Sequence, residues 1–182
     1  AMSLPEQAVS ITGLIKDYKR GWQRRQVRAV SDVTLSVAPG EVFGFIGPNG
    51  AGKSTTIKML MGLAQPTAGT IQVYGQPASM PAARRGMGYV PESPYLYDYL
   101  TPKEILAMSI HLHQAAVGEI NRHIDRWLDR LGLLSVARAP IRSFSKGMTQ
   151  RVAIAQAMCI NPRLLVMDEP LSGLDPVGRQ EV

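Results

Sequence analysis

The sequence is poor in cysteine and in long apolar runs. Cys159 is the only cysteine among 182 residues, so no disulfide can form within the chain, and a reducing compartment is indicated. No stretch approaches the roughly 18 consecutive apolar residues of a membrane-spanning helix, and no charged start with an apolar segment marks a secretory signal. These absences predict a soluble, cytoplasmic protein in which Cys159 is buried and unreactive.

The glycine-rich segment 47–54 carries the most specific signal. Glycines at 47 and 52, followed by Lys53 and Ser54, match the phosphate-loop pattern G-x-x-x-x-G-K-[ST]. In such a loop backbone N–H groups face a phosphate, the lysine reaches the β- and γ-phosphates, and the hydroxyl coordinates Mg²⁺. The residues predicted to contact a nucleoside triphosphate here are Gly47, Pro48, Asn49, Gly50, Ala51, Gly52, Lys53, Ser54 and Thr55.

Apolar runs separated by turn residues predict a β-rich beginning of the chain. The predicted strands cover residues 9–15, 33–37, 42–46 and 70–74, and the run 42–46 leads directly into the phosphate loop. The basic stretch 16–28 is predicted to be a solvated loop. The net charge of +6 suits acidic partners, but phosphate binding needs cations anyway, so the charge favours nucleic acid or a membrane only weakly.

Helical signals dominate the second half of the chain. Thr101, Pro102 and Glu104 form a helix-start pattern that opens a long helical region ending near Gly132. Within it, apolar residues recur at helical spacing and predict one packed face. A further helix is predicted over 146–160, followed by a parallel strand over 164–167 that is buried on both faces. The residues of the apolar face are Ile120, Ile124, Trp127, Leu128 and Leu131.

Two carboxylates follow the predicted strand 164–167. An α/β sheet presents ligands at the carboxyl ends of its strands, so these acids are expected on the ligand-binding edge. Asp168 is the expected Mg²⁺ ligand together with Ser54, and Glu169 is the expected catalytic base that orients or deprotonates the attacking water.

The sequence resembles the nucleotide-binding subunits of ATP-binding cassette (ABC) transporters. The resemblance rests on the segment 144–151, Phe-Ser-Lys-Gly-Met-Thr-Gln-Arg, ahead of the strand and acids at 164–170 and of Ser-Gly-Leu-Asp at 172–175. It implies an α/β fold with a P-loop NTPase core, an N-terminal antiparallel β subdomain and a helical subdomain. The implied parts are a β-rich ATP-binding core over 1–92, a helical subdomain over 93–144, and the signature helix with the following strand over 145–182.

The resemblance also implies the cofactors and partners. ATP with Mg²⁺ would lie between one phosphate loop and the signature of a second nucleotide-binding subunit in a head-to-tail dimer. Ser145, Gly147 and Asp175 are the implied contacts to that nucleotide, and the N-terminus of a helix starting at Ser145 suits an anion. A transmembrane permease is the implied partner at the inner face of the cell membrane, and no direct nucleic-acid contact is expected.

Two residues depart from the usual pattern of the family. Lys146 replaces the second glycine of the signature, and Glu92 stands where a glutamine usually follows the third strand. Glu92 keeps an oxygen that could reach Mg²⁺ or the attacking water, so it is a second candidate for both the catalytic and the metal site. With Lys146 and the helix start Thr55-Thr56-Ile57, it most resembles the exporter branch, whose ATPase is a separate polypeptide.

Aromatic and histidine residues give weaker signals. Tyr18 lies upstream of the phosphate loop, where the resembled family places an aromatic ring that stacks on adenine, and it is favoured over the competing Trp22. The histidines at 111, 113 and 123 show no metal-ligand spacing and are predicted to lie on the surface.

The family continues to a strand that ends in a histidine contacting the γ-phosphate, whereas this sequence stops at Val182. We therefore expect a truncated chain with weak or absent ATPase activity. Two other interpretations stay open: a soluble ABC ATPase acting on ribosomes or DNA, and a nucleotide-binding module without turnover.

Overall fold

The computed structural model describes residues 7–20 and 25–170. The chain divides into two compact units, 1–85 and 86–182. Strands dominate the described part of the first unit, and helices dominate that of the second. Across these described ranges, no helix has the length and apolar character needed to cross a membrane.

An antiparallel sheet forms the centre of the first unit, as the predicted β subdomain requires. β1 pairs with β2 on one side and with β3 on the other, so that Val9 lies opposite both Val37 and Val73. All three valines are buried. The strand order is β2-β1-β3-β4, with β1 at Val9–Arg20, β2 at Arg25–Val37, β3 at Ala68–Val73 and β4 at Gln76–Pro77.

Two helices accompany this sheet. The helix α1 (Lys53–Leu60) contacts β2 and β3, and its Met59 is almost completely buried. The short helix α2 (Pro81–Arg84) contacts β3 and β4. The phosphate loop thus enters a helix that rests on the sheet of its own unit.

The predicted loop over the basic stretch 16–28 is wrong for most of its length. β1 continues to Arg20 and β2 begins at Arg25, so the described part of the stretch is a β-ladder. Arg28 donates two hydrogen bonds to Asp17, from Nε to Oδ1 at 2.9 Å and from Nη2 to Oδ2 at 3.1 Å. These bonds lower the pKa of Asp17. Charged side chains reach water from an exposed strand while the backbone stays paired, so charge did not predict a loop here.

The predicted strand over 42–46 is also wrong. None of these residues has strand structure, and Val42 and Ile46 are 99% and 94% exposed. Composition suits a strand, but a strand also needs a neighbour for its backbone N–H and C=O groups. The described residues supply no such neighbour for this run.

In the second unit, β5 (Met87–Val90) and β6 (Leu164–Met167) pair in parallel, which confirms the predicted parallel strand. Its predicted burial on both faces is wrong, because only Val166 of the four residues is buried and Met167 is 36% exposed. Within the described residues β5 is the only strand beside β6, and two strands bury little of their surface.

Three helices build the larger core of the second unit. They are α3 (Pro102–Leu112), α4 (Ile120–Arg130) and α5 (Lys146–Met158), with short 3-10 turns at Leu134–Val136 and Ile141–Ser143. The predicted start of α3 is confirmed by a capping box: Thr101 N donates to Glu104 Oε2 at 2.8 Å, and Glu104 N donates to Thr101 Oγ1 at 3.3 Å. The predicted long helical region is two helices, α3 and α4, separated by residues 113–119.

The predicted apolar face of α4 is confirmed, with Ile124 and Leu128 fully inside the helical core. The prediction that His123 lies on the surface is wrong. Its Nε2 lies 2.8 Å from the Cys159 carbonyl oxygen, and its ring is buried against the end of α5. His123 is one residue from Ile124 on the helix and therefore borders the packed face, where the free carbonyl at a helix end offers a partner.

Candidate functional site

The phosphate loop is built around two glycines in the left-handed region. Gly50 has φ 82° and Gly52 has φ 88°, values that residues with a side chain rarely adopt. A Cβ at Gly52 would lie 2.3 Å from the Ala29 carbonyl oxygen. Glycine at 52 is therefore required twice, by its φ and by the close approach of β2.

Lys53 folds back across this loop. Its Nζ donates to the carbonyl oxygens of Gly47 at 2.8 Å and Pro48 at 3.1 Å. Lys53 is also the first residue of α1, a helix with no side-chain cap and no acidic residue in its first turn. An ammonium and the positive end of a helix dipole therefore lie together, the arrangement that suits a polyphosphate. Ser54 and Thr55 follow in the same turn.

The carboxyl ends of β5 and β6 lie at one edge because the two strands are parallel. Asp168 N donates to the Val90 carbonyl oxygen at 2.9 Å and continues the ladder beyond β6. Asp168 is buried, whereas Glu169 and Glu92 are exposed. The predicted acids Glu92, Asp168 and Glu169 therefore all follow strands at this edge, which we call the acidic edge.

Tyr89 lies on β5 beside the acidic edge. Burial, and secondarily the negative charge of Asp168, raises the pKa of Tyr89 on β5.

Among the residues that the structure describes, no group of three or more His, Cys, Asp or Glu could hold a metal ion. Mg²⁺ commonly uses one or two carboxylates and completes its shell with phosphates and water, so the donors at this edge fit nucleotide-bound Mg²⁺ rather than a protein-only site.

The signature segment begins α5 as predicted. Ser145 is the N-cap, and its Oγ accepts from Met148 N at 3.2 Å. Ser145 and Lys146 are exposed and Gly147 is half-buried. Lys146 adds a positive charge to the positive end of the helix, which favours an anion at this end.

The adenine candidate Tyr18 lies on β1 and is 42% exposed, with Lys16 Nζ 5.0 Å from its ring centroid. Enough of the ring is accessible for a base to stack on it. The competing Trp22 and the implied nucleotide contact Asp175 lie outside the described residues.

One contact beside the acids was missed. Gln150 Nε2 donates to the Pro170 carbonyl oxygen at 3.0 Å, next to Glu169. Glu169 itself has φ 46°, in the left-handed region. A glutamine four residues before Ile154 on the packed face of α5 was the available signal, because a polar residue on a buried face needs a partner.

The glycine-built phosphate loop and the parallel strands with acids at their ends define a P-loop NTPase fold. A sequence model described as ABC transporter matches residues 30–172, and the chain belongs to that family.

Relatives and a solved structure agree with this assignment. An uncharacterized ABC transporter ATP-binding protein of Nostoc sp. is 42% identical over 175 residues, covering 94% of this chain and 52% of the relative. The bacitracin transport ATP-binding protein of Bacillus licheniformis is 38% identical, covering 85% of this chain and 50% of the relative. An ATP-binding cassette in a dimeric, post-hydrolysis state with ADP and Pi has a TM-score of 0.84 and 27% identity, over 95% of this chain and 78% of that chain. The chain thus spans about half the length of these curated relatives.

Proposed function

We propose that this sequence belongs to the ATP-hydrolysing subunit of a transporter. Lys53 and the loop backbone hold the phosphates of ATP, and Tyr18 stacks on adenine. Ser54 and Asp168 hold Mg²⁺, which neutralises phosphate charge when bound. Glu169 orients or deprotonates the attacking water, and Glu92 supplies a further oxygen to the metal or the water.

The observation that carries this proposal is the phosphate loop. Two left-handed glycines bring the backbone to α1, and the Lys53 ammonium lies within 3.1 Å of two loop carbonyls. A simple chain-reversing turn would not require a glycine this close to the Ala29 carbonyl oxygen. It would also not require a lysine that donates hydrogen bonds to carbonyls of its own loop. Phosphate binding accounts for both features.

We extend the proposal to a head-to-tail dimer of two such subunits. Ser145 and Gly147 at the start of α5 would then meet the γ-phosphate held by the second subunit, and Asp175 would be a further contact to the bound nucleotide. The exposed N-cap of α5, the Lys146 charge, and the dimeric state named for the similar cassette support this extension. Closure with ATP and opening after hydrolysis would be the two-state element that drives transport.

A transmembrane permease is the proposed partner, with export across the cell membrane as the proposed outcome. Tyr95, Tyr97 and Tyr99 are exposed just after Glu92, with Tyr95 98% exposed. This tyrosine row is held in place from behind, since Leu96 and Leu100 pack against the helical core. Tyrosines are enriched among the residues that dominate protein interfaces, so the row suits a permease segment. The likeness to a bacitracin transport protein supports transport.

The experiment that tests ATP binding is calorimetric titration of the full-length protein with Mg²⁺-ATP. We expect Lys53→Ala to weaken binding about 10- to 100-fold, because a charge-assisted contact contributes about 1.5 to 3 kcal/mol. Lys58→Ala, an exposed lysine on the same helix, should bind like the unchanged protein. Glu169→Gln should keep binding and lower turnover about 100-fold or more.

Equal binding by Lys53→Ala and Lys58→Ala would reject the phosphate-loop assignment. The permease partnership has its own test, which is co-purification with the membrane fraction. Alanine at all three positions of the tyrosine row should release the protein from membranes without changing its affinity for ATP. Retention on membranes would rule the row out as the docking surface, and salt-dependent binding to nucleic acid would favour a soluble ABC ATPase instead.

A further inference from the structure

We propose that Gln150 is a positioning residue for Glu169, acting through the carbonyl oxygen of Pro170. The inference rests on the proposed function, in which Glu169 is the catalytic base. Gln150 touches neither nucleotide nor metal in this scheme. Its role is to hold the turn that carries the catalytic carboxylate.

The first support is the cost of keeping an amide at this position. Gln150 is 1% exposed, and its Nε2 donates to the Pro170 carbonyl oxygen at 3.0 Å. Its Oε1 is buried without a hydrogen-bond partner among the described residues. A methionine of similar length would fill this space without leaving an orphaned acceptor. The hydrogen bond to Pro170 is therefore the feature that distinguishes glutamine from an apolar residue here.

The second support is the backbone of the turn. Glu169 has φ 46°, a conformation that is uncommon for a residue with a side chain. The next residue is Pro170, and a following proline pushes its neighbour toward extended backbone. Glu169 thus adopts a conformation against its local preference, and such a conformation persists only where the surroundings impose it.

Two hydrogen bonds bracket Glu169 and provide that restraint. On one side, Asp168 N donates to the Val90 carbonyl oxygen at 2.9 Å. On the other side, Gln150 Nε2 holds the Pro170 carbonyl oxygen. The first bond fixes the end of the β-ladder and the second fixes the exit of the turn. With the second bond lost, Glu169 is free to relax toward the extended conformation that Pro170 favours.

The same bond links two parts of the proposed machinery within one unit. Gln150 and the N-cap Ser145 lie on one short stretch of α5, separated by little more than one helical turn. A displacement of the signature end of α5 would therefore be felt at the turn that carries Glu169. Positioning of the base would then depend on the state of the signature helix.

The test uses the full-length protein with two variants that lose the donor in different ways. Gln150→Met keeps the length and removes both polar atoms, whereas Gln150→Leu removes them with a shorter side chain. Gln156→Met, a half-buried glutamine on the same helix, is the matched control for introducing methionine into α5. Thermal melting establishes that each variant is folded.

We expect both Gln150 variants to lower kcat about tenfold or more, because a small misplacement of a catalytic group is costly. KM and the calorimetric Kd for Mg²⁺-ATP should change less than about twofold, since loss of a transition-state interaction leaves ground-state binding intact. Without nucleotide, hydrogen exchange should become faster at the amides of residues 168–169 and nowhere along α1. Gln156→Met should change none of these values.

A kcat in Gln150→Met and Gln150→Leu equal to that of Gln156→Met would overturn the inference. So would unchanged hydrogen exchange at 168–169, whatever the activity. If the unchanged protein itself hydrolyses no ATP, the proposed function fails, and the exchange measurement still decides whether Gln150 holds the turn.

Discussion

Two apolar runs of this chain have similar composition, but only one of them forms a strand. The run 42–46 leads into the phosphate loop and forms no strand, with Ile46 94% exposed. The run Leu164–Met167 leads into Asp168 and forms β6, paired along its whole length with β5. Their difference is the presence of a neighbouring strand. A β-strand is thus a property of a pair, and composition alone reports only that a residue would suit one.

The largest expected effect comes from placing a charge in each run. Val166→Asp should lower the free energy of unfolding by on the order of 3 kcal/mol, because Val166 is buried and an unpaired carboxylate cannot keep its water. Ile46→Asp in this chain should stay within about 0.5 kcal/mol, since Ile46 lies in solvent. Denaturant unfolding of both variants measures the difference.

The same pair of variants sharpens the comparison. A strong loss of stability from Ile46→Asp would mean that another segment covers the run. Equal and small effects from both variants in this chain would instead contradict the pairing of β5 with β6.

A smaller effect is expected from a methyl group placed between β5 and α5. A Cβ at Gly88 would lie 2.5 Å from the Ala157 carbonyl oxygen and 3.0 Å from Leu165 Cδ1. Gly88→Ala should therefore destabilise the second unit by about 1 to 3 kcal/mol, the usual cost of overpacking. Gly118→Ala, where the added carbon meets nothing within 4 Å, is the control in chemical denaturation. Comparable stability in the two variants would show that α5 does not press on β5.

The smallest expected effect is electrostatic and concerns the pKa of Tyr89, which lies beside the acidic edge. Asp168→Asn should lower the pKa of Tyr89 while leaving it above 10.0, because burial is the larger cause of its rise. Ultraviolet titration, with Tyr89→Phe to identify the signal, measures this value. An unchanged Tyr89 pKa in Asp168→Asn would mean that the charge of Asp168 does not act on Tyr89.

The sign of the accompanying pH effect follows from the raised pKa. The folded state favours the neutral phenol of Tyr89. The contribution of this group to folding stability is therefore present below pH 10.0 and is lost as the pH rises through the raised pKa. Tyr89→Phe should lack this part of the alkaline loss of stability.

Features fixed by neighbours in sequence could be predicted. The capping box at Thr101, the start of α5 at Ser145 and the apolar face of α4 all follow from residues three or four positions apart. The phosphate loop belongs to the same group, because its glycines and lysine are contiguous. In each case the sequence pattern itself is complete within a few turns of the chain.

Features that depend on distant partners could not be predicted. The basic stretch 16–28 became a β-ladder because β1 and β2 pair across it, and His123 became buried because the end of α5 lies against it. The bond from Gln150 to Pro170 joins positions 20 residues apart. The left-handed conformation of Glu169 depends on that distant setting, so no local pattern announced it.

The single thiol of the chain allows openings of the helical core to be followed by chemical labelling. Burial among α3, α4 and α5 raises the pKa of Cys159 to about 12, so the thiol is neither charged nor accessible while the core is closed. Alkylation at neutral pH can then proceed only through molecules in which these helices have separated. The rate of labelling counts those openings, and with no second cysteine in the sequence, every labelled molecule records an opening at one known position.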